Sequence, residues 1–335
     1  LAESGLMTSL TAIATGVLIG AALTAALLPV SKQISRRLGC TGLDAHKEKP
    51  YPVPKLGGLA VAAGSIAGFM AVLQGQQNVP LAAALLGCCL TAAAIGLLED
   101  FRELNPVLKP ALIALAGVPV VVAGVYTPNP QIPFVGTTRL TIIYPLLVLA
   151  GFAVVCNAVN SIDVLNGSMA YTSIPPLLAL ATVAYVEGKA AVLGISLVLT
   201  ASLAVFLTQN KYPARVFAGN VGSLFVGATI TYVAVVGRME VVAIVAMMPQ
   251  IMNEFHIIYS LRGLKSAKTA VVRPVIVEGG VLRANLEKRA PLTLLRMFSV
   301  EGVSEKTAVN SMAVLSIYSS ILSLVTYFFF MRGVV

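Results

Sequence analysis

Charged residues are scarce in this 335-residue sequence. Asp, Glu, Lys and Arg together make up 11% of it, while hydrophobic residues make up 57% and the mean hydropathy is +0.89. This charged fraction is less than half of that in an ordinary globular protein and leaves too little polar surface to cover a soluble fold. The composition therefore excludes a soluble protein and predicts an integral membrane protein.

Metal-binding and nucleic-acid-binding patterns are also lacking. The four cysteines show no metal-ligand spacing, so we expect free thiols and no disulfide framework. His46 has no partner histidine at such a spacing, and a lone histidine in a basic loop is more often a surface residue than a ligand. Basic residues are not interleaved with aromatics in blocks, which argues against nucleic acid as a partner. No basic segment precedes the first apolar stretch, so a cleaved signal peptide is not expected.

Long apolar runs dominate the rest of the chain. A spanning helix needs about 20 apolar residues, and ten segments qualify as candidates: 6–30, 56–74, 79–98, 107–126, 140–158, 170–186, 190–208, 216–236, 240–260 and 310–331. The sixth is the weakest because it is short and contains Pro175-Pro176. The pattern predicts an all-α membrane protein with about ten transmembrane helices, in a single polytopic domain over residues 1–335.

The basic residues lie mostly on one side of these ten segments. The loops after the first, third, fifth, seventh and ninth segments hold all of the 23 basic residues except Arg139, Lys189, Arg238 and Arg332. By the positive-inside rule these five loops are cytoplasmic and both termini are outside. In a prokaryote the membrane would be the plasma membrane.

The loop 261–308 is the only long connection. Its first part, 271–283, reads as a β-hairpin around Glu278-Gly279-Gly280, and we expect an amphipathic helix in its second part. Its nine basic residues fit a lid over an anionic substrate, and they fit a patch that binds lipid headgroups equally well.

Polar residues cluster beside the same cytoplasmic loops. Glu99-Asp100 ends an almost uncharged segment, and adjacent carboxylates of this kind can hold a divalent cation or form a solvated helix end. Asn160 and Asp163 would share a helix face, where they could bind a cation or a uracil edge, or make interhelical hydrogen bonds. Gly219, at the start of the eighth segment, would let a phosphate approach backbone amides, and Phe217 could stack on a base or face lipid.

Taken in order, these motifs resemble the polyprenyl-phosphate N-acetylhexosamine-1-phosphate transferases, in particular the archaeal and eukaryotic dolichyl-phosphate GlcNAc-1-phosphate transferases. The resemblance covers nearly the whole chain. Its motifs are Asp44-Ala45-His46-Lys47 with Pro54-Lys55-Leu56-Gly57-Gly58, Leu98-Glu99-Asp100, Asn157-Ala158-Val159-Asn160 through Asn166-Gly167, Val216-Phe217-Ala218-Gly219-Asn220, Met248-Pro249-Gln250-Ile251-Met252-Asn253, and Ala290-Pro291-Leu292-Thr293-Leu294.

The resemblance implies transfer of a sugar-1-phosphate, in particular GlcNAc-1-phosphate, from a UDP-sugar to a membrane polyprenyl (dolichyl) phosphate. It implies Mg²⁺, with Mn²⁺ as an alternative ion, and leaves a homodimer open. The roles that it implies are catalysis by Glu99, Asp100 and Lys109; metal binding by Asn160, Asn220 and Asp163; nucleotide binding by Asn166, Phe217 and Gly219; and phosphate binding by Lys109 and Arg273. Further candidates are Asp44, His46, Lys47 and Asn253.

Four positions depart from the family's pattern, and each replaces an Asp or an acidic residue. They are Lys55, Glu99, Asn220 and Arg289. Asn220 offers an oxygen without charge, and we hypothesise that Asp163 compensates for it. If Asn220 weakens a metal site, Asn220→Asp should raise activity or lower the Mg²⁺ requirement.

Two alternatives to an active transferase stay open on these residues. One is a degenerate relative that binds a nucleotide-sugar or lipid without turnover, as a partner of another membrane enzyme. The other is a transporter, which would place polar residues near the bilayer midplane and show repeat symmetry. The polar residues instead cluster at one face, and no repeat is evident.

Overall fold

The computed structural model describes residues 2–74, 78–263 and 272–332, with side chains from residue 9 onward. Within these ranges the chain is mostly helical. Its helices are α1 (Ala2–Arg37), α2 (Gly57–Leu73), α3 (Val79–Phe101), α4 (Leu108–Ala114), α5 (Val118–Ala123), α6 (Tyr144–Ile162), α7 (Ser168–Val186), α8 (Ala190–Asn210), α9 (Gly219–Val236), α10 (Glu240–Ala246), α11 (Met248–Ser260), α12 (Leu294–Phe298) and α13 (Glu305–Phe330).

Three short antiparallel hairpins complete the described part of the chain: β1 (Thr41–Leu43) with β2 (Pro52–Pro54), β3 (Gln131–Ile132) with β4 (Gly136–Thr137), and β5 (Val275–Glu278) with β6 (Val281–Ala284). The last is the hairpin predicted within 261–308, although Val271 lies outside the described residues. Between residues 272 and 304 the described part of that loop contains the short helix α12, and α13 begins before the loop's predicted end at 308.

All ten predicted apolar segments fall on helices, but the count of ten spans is not confirmed. Seven helices of the described chain, α1, α3, α6, α7, α8, α9 and α13, are long and apolar enough to cross a membrane, and α10 with α11 forms an eighth if the bent pair is one span. The helix α2 has only 17 residues, and the predicted segment 107–126 is divided into α4, a 3-10 turn and α5.

Proline explains where two predicted spans break, because it has no backbone N–H and its ring clashes with the preceding turn. Pro249 follows the junction of α10 and α11, whose axes are bent by 70°. Pro119 lies at the start of α5, directly after the 3-10 turn. In α7, by contrast, Pro175-Pro176 lies within a continuous helix, as neighbouring helices permit in membrane proteins.

The helix α9 forms the centre of the bundle. Of its 18 residues, 94% are buried, and the helix packs against α2, α3 and α6. The Phe69 and Phe225 rings stack between α2 and α9, and the Tyr232 hydroxyl donates to the Leu81 carbonyl of α3. A helix that is apolar all round is expected in such a position. The N-terminus of α9 is thereby held against the C-terminal end of α3.

Glycines allow α1 and α2 to approach each other closely. Gly16 and Gly20 of α1 face Gly64 and Gly68 of α2, and a Cβ atom added at Gly68 would lie 2.5 Å from the Gly16 carbonyl oxygen. Small residues spaced in this way are the usual means of close helix packing in membranes, where contact rather than hydrophobicity drives association.

Gly68→Ala should therefore lower the thermal unfolding temperature of the detergent-solubilised chain, since overpacking costs about 1–3 kcal/mol. Gly151→Ala is the matched control, because the nearest atom to its added Cβ is Thr231 Cγ2 at 3.6 Å. This control should be neutral or slightly stabilising, as alanine favours helix. Equal effects of the two variants would contradict the close α1–α2 contact.

Candidate active site

A cavity of about 700 Å³ lies at the end of the bundle where α3 and α6 end and where α2, α4 and α9 begin. It gathers nearly all of the predicted site residues: Asp44, His46, Glu99, Lys109, Asn160, Asp163, Asn166, Phe217, Gly219, Asn220, Asn253 and Arg273. Lys55 also lines it. The predicted candidates Asp100 and Lys47 do not line the cavity but bind residues that do. Segments far apart in sequence thus place their polar residues in one space.

Asp100 connects the end of α3 to the start of α9. Its Oδ1 accepts a hydrogen bond from the Asn220 backbone N–H at 2.9 Å, and its Oδ2 accepts one from the Val221 N–H at 3.0 Å. Lys55 Nζ lies 2.8 Å from Oδ1. The carboxylate therefore satisfies backbone donors that a helix N-terminus leaves free, and its charge favours the positive end of the helix.

Glu99 begins a chain of polar contacts across four helices. Lys109 Nζ lies 2.9 Å from Glu99 Oε1 and also donates to Asn160 Oδ1 at 2.9 Å. The Asn160 amide nitrogen in turn donates to Asn220 Oδ1 at 2.7 Å and to Ser223 Oγ at 2.8 Å. These contacts join the ends of α3 and α6 to the starts of α4 and α9. The motifs of the third, fifth and eighth apolar segments therefore lie together.

Gly219 allows the close approach of these groups. Its backbone has φ +70°, a conformation that other residues rarely adopt. A Cβ atom there would contact the Lys55 carbonyl oxygen and would lie 2.6 Å from Asp100 Oδ2. Glycine is thus required by both conformation and space.

A second group of contacts surrounds Asn166. Its amide nitrogen donates to Asp44 Oδ2 at 3.0 Å, and its backbone N–H donates to Glu305 Oε1 at 3.0 Å. Lys47 forms ion pairs with Asp44 at 3.2 Å and with Glu305. Asn166 is buried, so these contacts hold its side chain in one orientation at the cavity wall.

Phe217 and His46 take positions on the cavity wall nearby. The half-buried Phe217 ring packs against the Gly42 backbone, where an added Cβ would lie 3.0 Å from its Cδ2. His46 is half-buried and lines the cavity. Burial lowers the pKa of His46 to about 4, with nearby Lys47 and Arg273 acting in the same direction and Asp44 opposing them. The imidazole is therefore neutral at pH 7.

Asp163 follows the last residue of α6 and faces the cavity. Neither a hydrogen bond nor an ion pair connects its carboxylate to another described residue. Burial raises its pKa from an ordinary 3.8 to about 7, and Asp100 adds to the shift while Lys55 opposes it.

Asn253 has contacts that brace the cavity wall. Its amide nitrogen donates to Ser161 Oγ at 3.1 Å, and its Oδ1 accepts from the Leu294 N–H at 2.9 Å. It thereby ties α11 to the end of α6 and to the start of α12.

The two amides proposed for Mg²⁺ do not fit that ion as they are arranged here. Mg²⁺ is bound through carboxylate and phosphate oxygens, whereas Asn160 Oδ1 accepts a bond from an ammonium and Asn220 Oδ1 accepts one from an amide. Across the described ranges, three or more His, Cys, Asp or Glu side chains do not group at metal-binding distance. All four cysteines are buried free thiols, as predicted.

Lys55, Ser223 and Glu305 are three of the site's residues that were not among the predicted candidates. Lys55 was noted only as a departure from a family pattern, and its pairing with Asp100 depends on the fold. Ser223 and Glu305 carry no local signal, because a serine one turn into a helix and a glutamate at a helix start are common. Only Ser304 before Glu305, which caps α13 by accepting from the Thr307 N–H, marks a helix start in the sequence.

Residues 82–238 match glycosyl transferase family 4. Two archaeal proteins, both provisionally named UDP-N-acetylglucosamine–dolichyl-phosphate N-acetylglucosaminephosphotransferase, are similar to the chain. The protein of Sulfolobus acidocaldarius is 28% identical over 242 residues, which cover 70% of this chain and 74% of the relative. That of Saccharolobus solfataricus is 31% identical over 218 residues, covering 63% of this chain and 67% of the relative.

A bacterial protein is similar over much of the same length. It is the provisionally named undecaprenyl-phosphate N-acetylglucosaminyl 1-phosphate transferase of Bacillus subtilis, 30% identical over 215 residues, which cover 63% of this chain and 59% of the relative.

The pKa of Asp163 predicts a pH-dependent stability. A carboxyl that binds its proton more tightly in the folded chain stabilises the fold less as pH rises from about 4 to 7. Asp163→Asn removes this charge. The unfolding temperature of the variant minus that of the wild type should therefore grow as pH is raised from 5 to 8. Parallel profiles for the two proteins would show that Asp163 titrates in its ordinary range.

Proposed function

The chain belongs to glycosyl transferase family 4, and from that membership we propose that it transfers a sugar-1-phosphate from a UDP-sugar to a polyprenyl phosphate. The names of the archaeal relatives support UDP-GlcNAc as donor and dolichyl phosphate as acceptor. The observation that carries the proposal is a cavity at one end of an apolar bundle, which Lys55, Lys109 and Arg273 line together with amide side chains. The chain is an integral membrane protein, so the acceptor's isoprenoid tail can remain in the bilayer.

The reaction balances without an added acid or base. An oxygen of the acceptor phosphate attacks the β-phosphorus of the UDP-sugar, and the bond from that phosphorus to the oxygen bridging to the α-phosphorus breaks. That oxygen leaves with the electron pair as part of UMP, and the lipid becomes a polyprenyl-diphosphate-sugar, the first intermediate of a lipid-linked glycan. Because two anions must meet, fixed positive charge is the main requirement of the site.

The nucleotide end of the donor is assigned to the group around Asn166. Asp44 accepts from the Asn166 amide nitrogen, which leaves the amide oxygen to accept from a uracil N–H. Phe217 is placed to stack on the base, and Arg273 lines the same cavity for phosphate contact. Asp100 acts as a positioning residue in this proposal, because Lys55 and two backbone N–H groups occupy its oxygens.

The divalent ion implied by the resemblance, Mg²⁺ or Mn²⁺, would need a charged ligand other than Asn160 and Asn220. Asp163 lines the cavity, and neither of its carboxylate oxygens has a hydrogen bond or ion pair with another described residue. An ion bound there would supply positive charge to the phosphates.

We further propose that the cavity faces the cytoplasm and that both termini lie outside, as the positive-inside rule indicates. A homodimer stays a prediction. Native cysteines are buried, so Lys211→Cys provides a single exposed thiol in a loop at the cavity end. A membrane-impermeant reagent should label it only after permeabilisation; labelling in intact cells would reverse the orientation.

The transfer is tested with purified chain, UDP-GlcNAc labelled in the sugar, and polyprenyl phosphate. Label should move into the organic-extractable lipid with one UMP released per sugar. Asn166→Ala should raise the KM for UDP-GlcNAc about tenfold and leave the KM for the acceptor unchanged. Asn129→Ala is the matched amide control, because Asn129 lies in the loop at the opposite end of the bundle.

One observation favours a second function, binding without turnover: both Asp100 oxygens are engaged, so this residue cannot act without releasing α9. In that case the same assay gives bound donor but no labelled lipid and no UMP.

A further inference from the structure

In two ion pairs at the cavity the lysine side chain is more exposed than its carboxylate partner. The Asp100 side chain is 0% exposed while its partner Lys55 is 21% exposed, and the Glu99 side chain is 7% exposed while Lys109 is 15% exposed. Both lysines line the cavity. Asp100 does not line the cavity, so an incoming anion would meet the Lys55 ammonium group before the Asp100 carboxylate. Glu99 lines the cavity beside Lys109, with Oε1 paired to that ammonium group.

The amide groups beside these lysines favour an anion over a cation. Asn160 Oδ1 already accepts from Lys109 Nζ, and Asn220 Oδ1 accepts from Asn160. The Asn220 amide nitrogen is a buried donor that finds no acceptor among the described residues. A divalent cation at these amides would lie next to an ammonium group, whereas a phosphate oxygen would pair with that ammonium.

We infer that Lys55 and Lys109 hold the diphosphate of the nucleotide donor directly, so that this chain binds it without a divalent ion. The inference rests on the proposed function, whose cavity and donor it uses, and it departs from the metal that the resemblance implies. Lysine suits the role as a compact, mobile point charge on a flexible stem. Lys55, which replaces an acidic residue of the family pattern, then adds positive charge where a metal ligand would add negative charge.

The test measures UDP binding by isothermal titration calorimetry with the full chain in detergent, once in EDTA and once in MgCl₂. The Kd should agree within about twofold between the two conditions, since an ion that does not bind cannot shift the equilibrium. Asp163→Asn, which removes a cavity carboxylate without a hydrogen bond or ion pair to another described residue, should not weaken binding.

Replacing both members of the Glu99–Lys109 pair tests whether Lys109 binds UDP, and it does not leave the buried Glu99 carboxylate without a partner. Lys109→Met combined with Glu99→Gln should weaken UDP binding roughly tenfold to a hundredfold. Lys211→Met, which removes an exposed lysine outside the cavity, is the control that should retain binding. Unfolding temperatures of all variants identify any that fail to fold, and Lys109→Arg then serves as the folded variant that keeps the charge and should keep binding.

The outcomes separate this inference from the proposed function. Binding that requires Mg²⁺, or that Asp163→Asn abolishes, overturns the inference and leaves the transferase proposal standing. Unchanged binding in the folded Glu99→Gln/Lys109→Met variant also overturns it. A folded wild-type chain that binds no UDP in either condition overturns both.

Discussion

The structure of the site depends on the burial of two adjacent carboxylates at the end of an apolar helix. Charge is costly to bury unless it is paired and hydrogen-bonded. Asp100 meets this requirement with Lys55 and the first N–H groups of α9. Glu99 meets it in part, because Oε1 pairs with Lys109 while Oε2 has no hydrogen-bond partner among the described residues. These pairings bring the end of α3 and the starts of α2, α4 and α9 to one point, and they leave two ammonium groups at the cavity.

Much of this arrangement is predictable from the sequence because it follows from local patterns. Apolar runs located all ten helical segments, and the one-sided charge predicted that Glu99, Asn160 and Asn220 would meet at one end. The division of 107–126 and the bend near Pro249 were not predicted, because proline is tolerated in some membrane helices, as Pro175-Pro176 shows in α7. Composition therefore locates apolar helices but does not decide which of them cross the membrane.

Contacts between residues that lie far apart in the sequence could not be predicted from local sequence patterns. From the sequence alone, Lys55 and Asn220 are two lost acidic residues. In the fold, Lys55 pairs with Asp100, and Asp100 holds the backbone of Asn220. Lys55 and Asn220 therefore alter the charge of the same group of residues around Asp100. Acidic residues at these two positions would attract a cation, whereas the residues present offer an ammonium group and a neutral amide. Glu305 is a similar case, since its contacts with Lys47 and Asn166 join residues more than 130 positions apart.

The central claim is that the donor's diphosphate occupies this cavity. Its most direct test is an experimentally determined structure of the chain with bound UDP-GlcNAc. The account predicts the diphosphate within hydrogen-bond distance of the Lys55 and Lys109 ammonium groups, with uracil between Asn166 and Phe217. Nucleotide density elsewhere on the chain, or a diphosphate separated from both lysines, would contradict it.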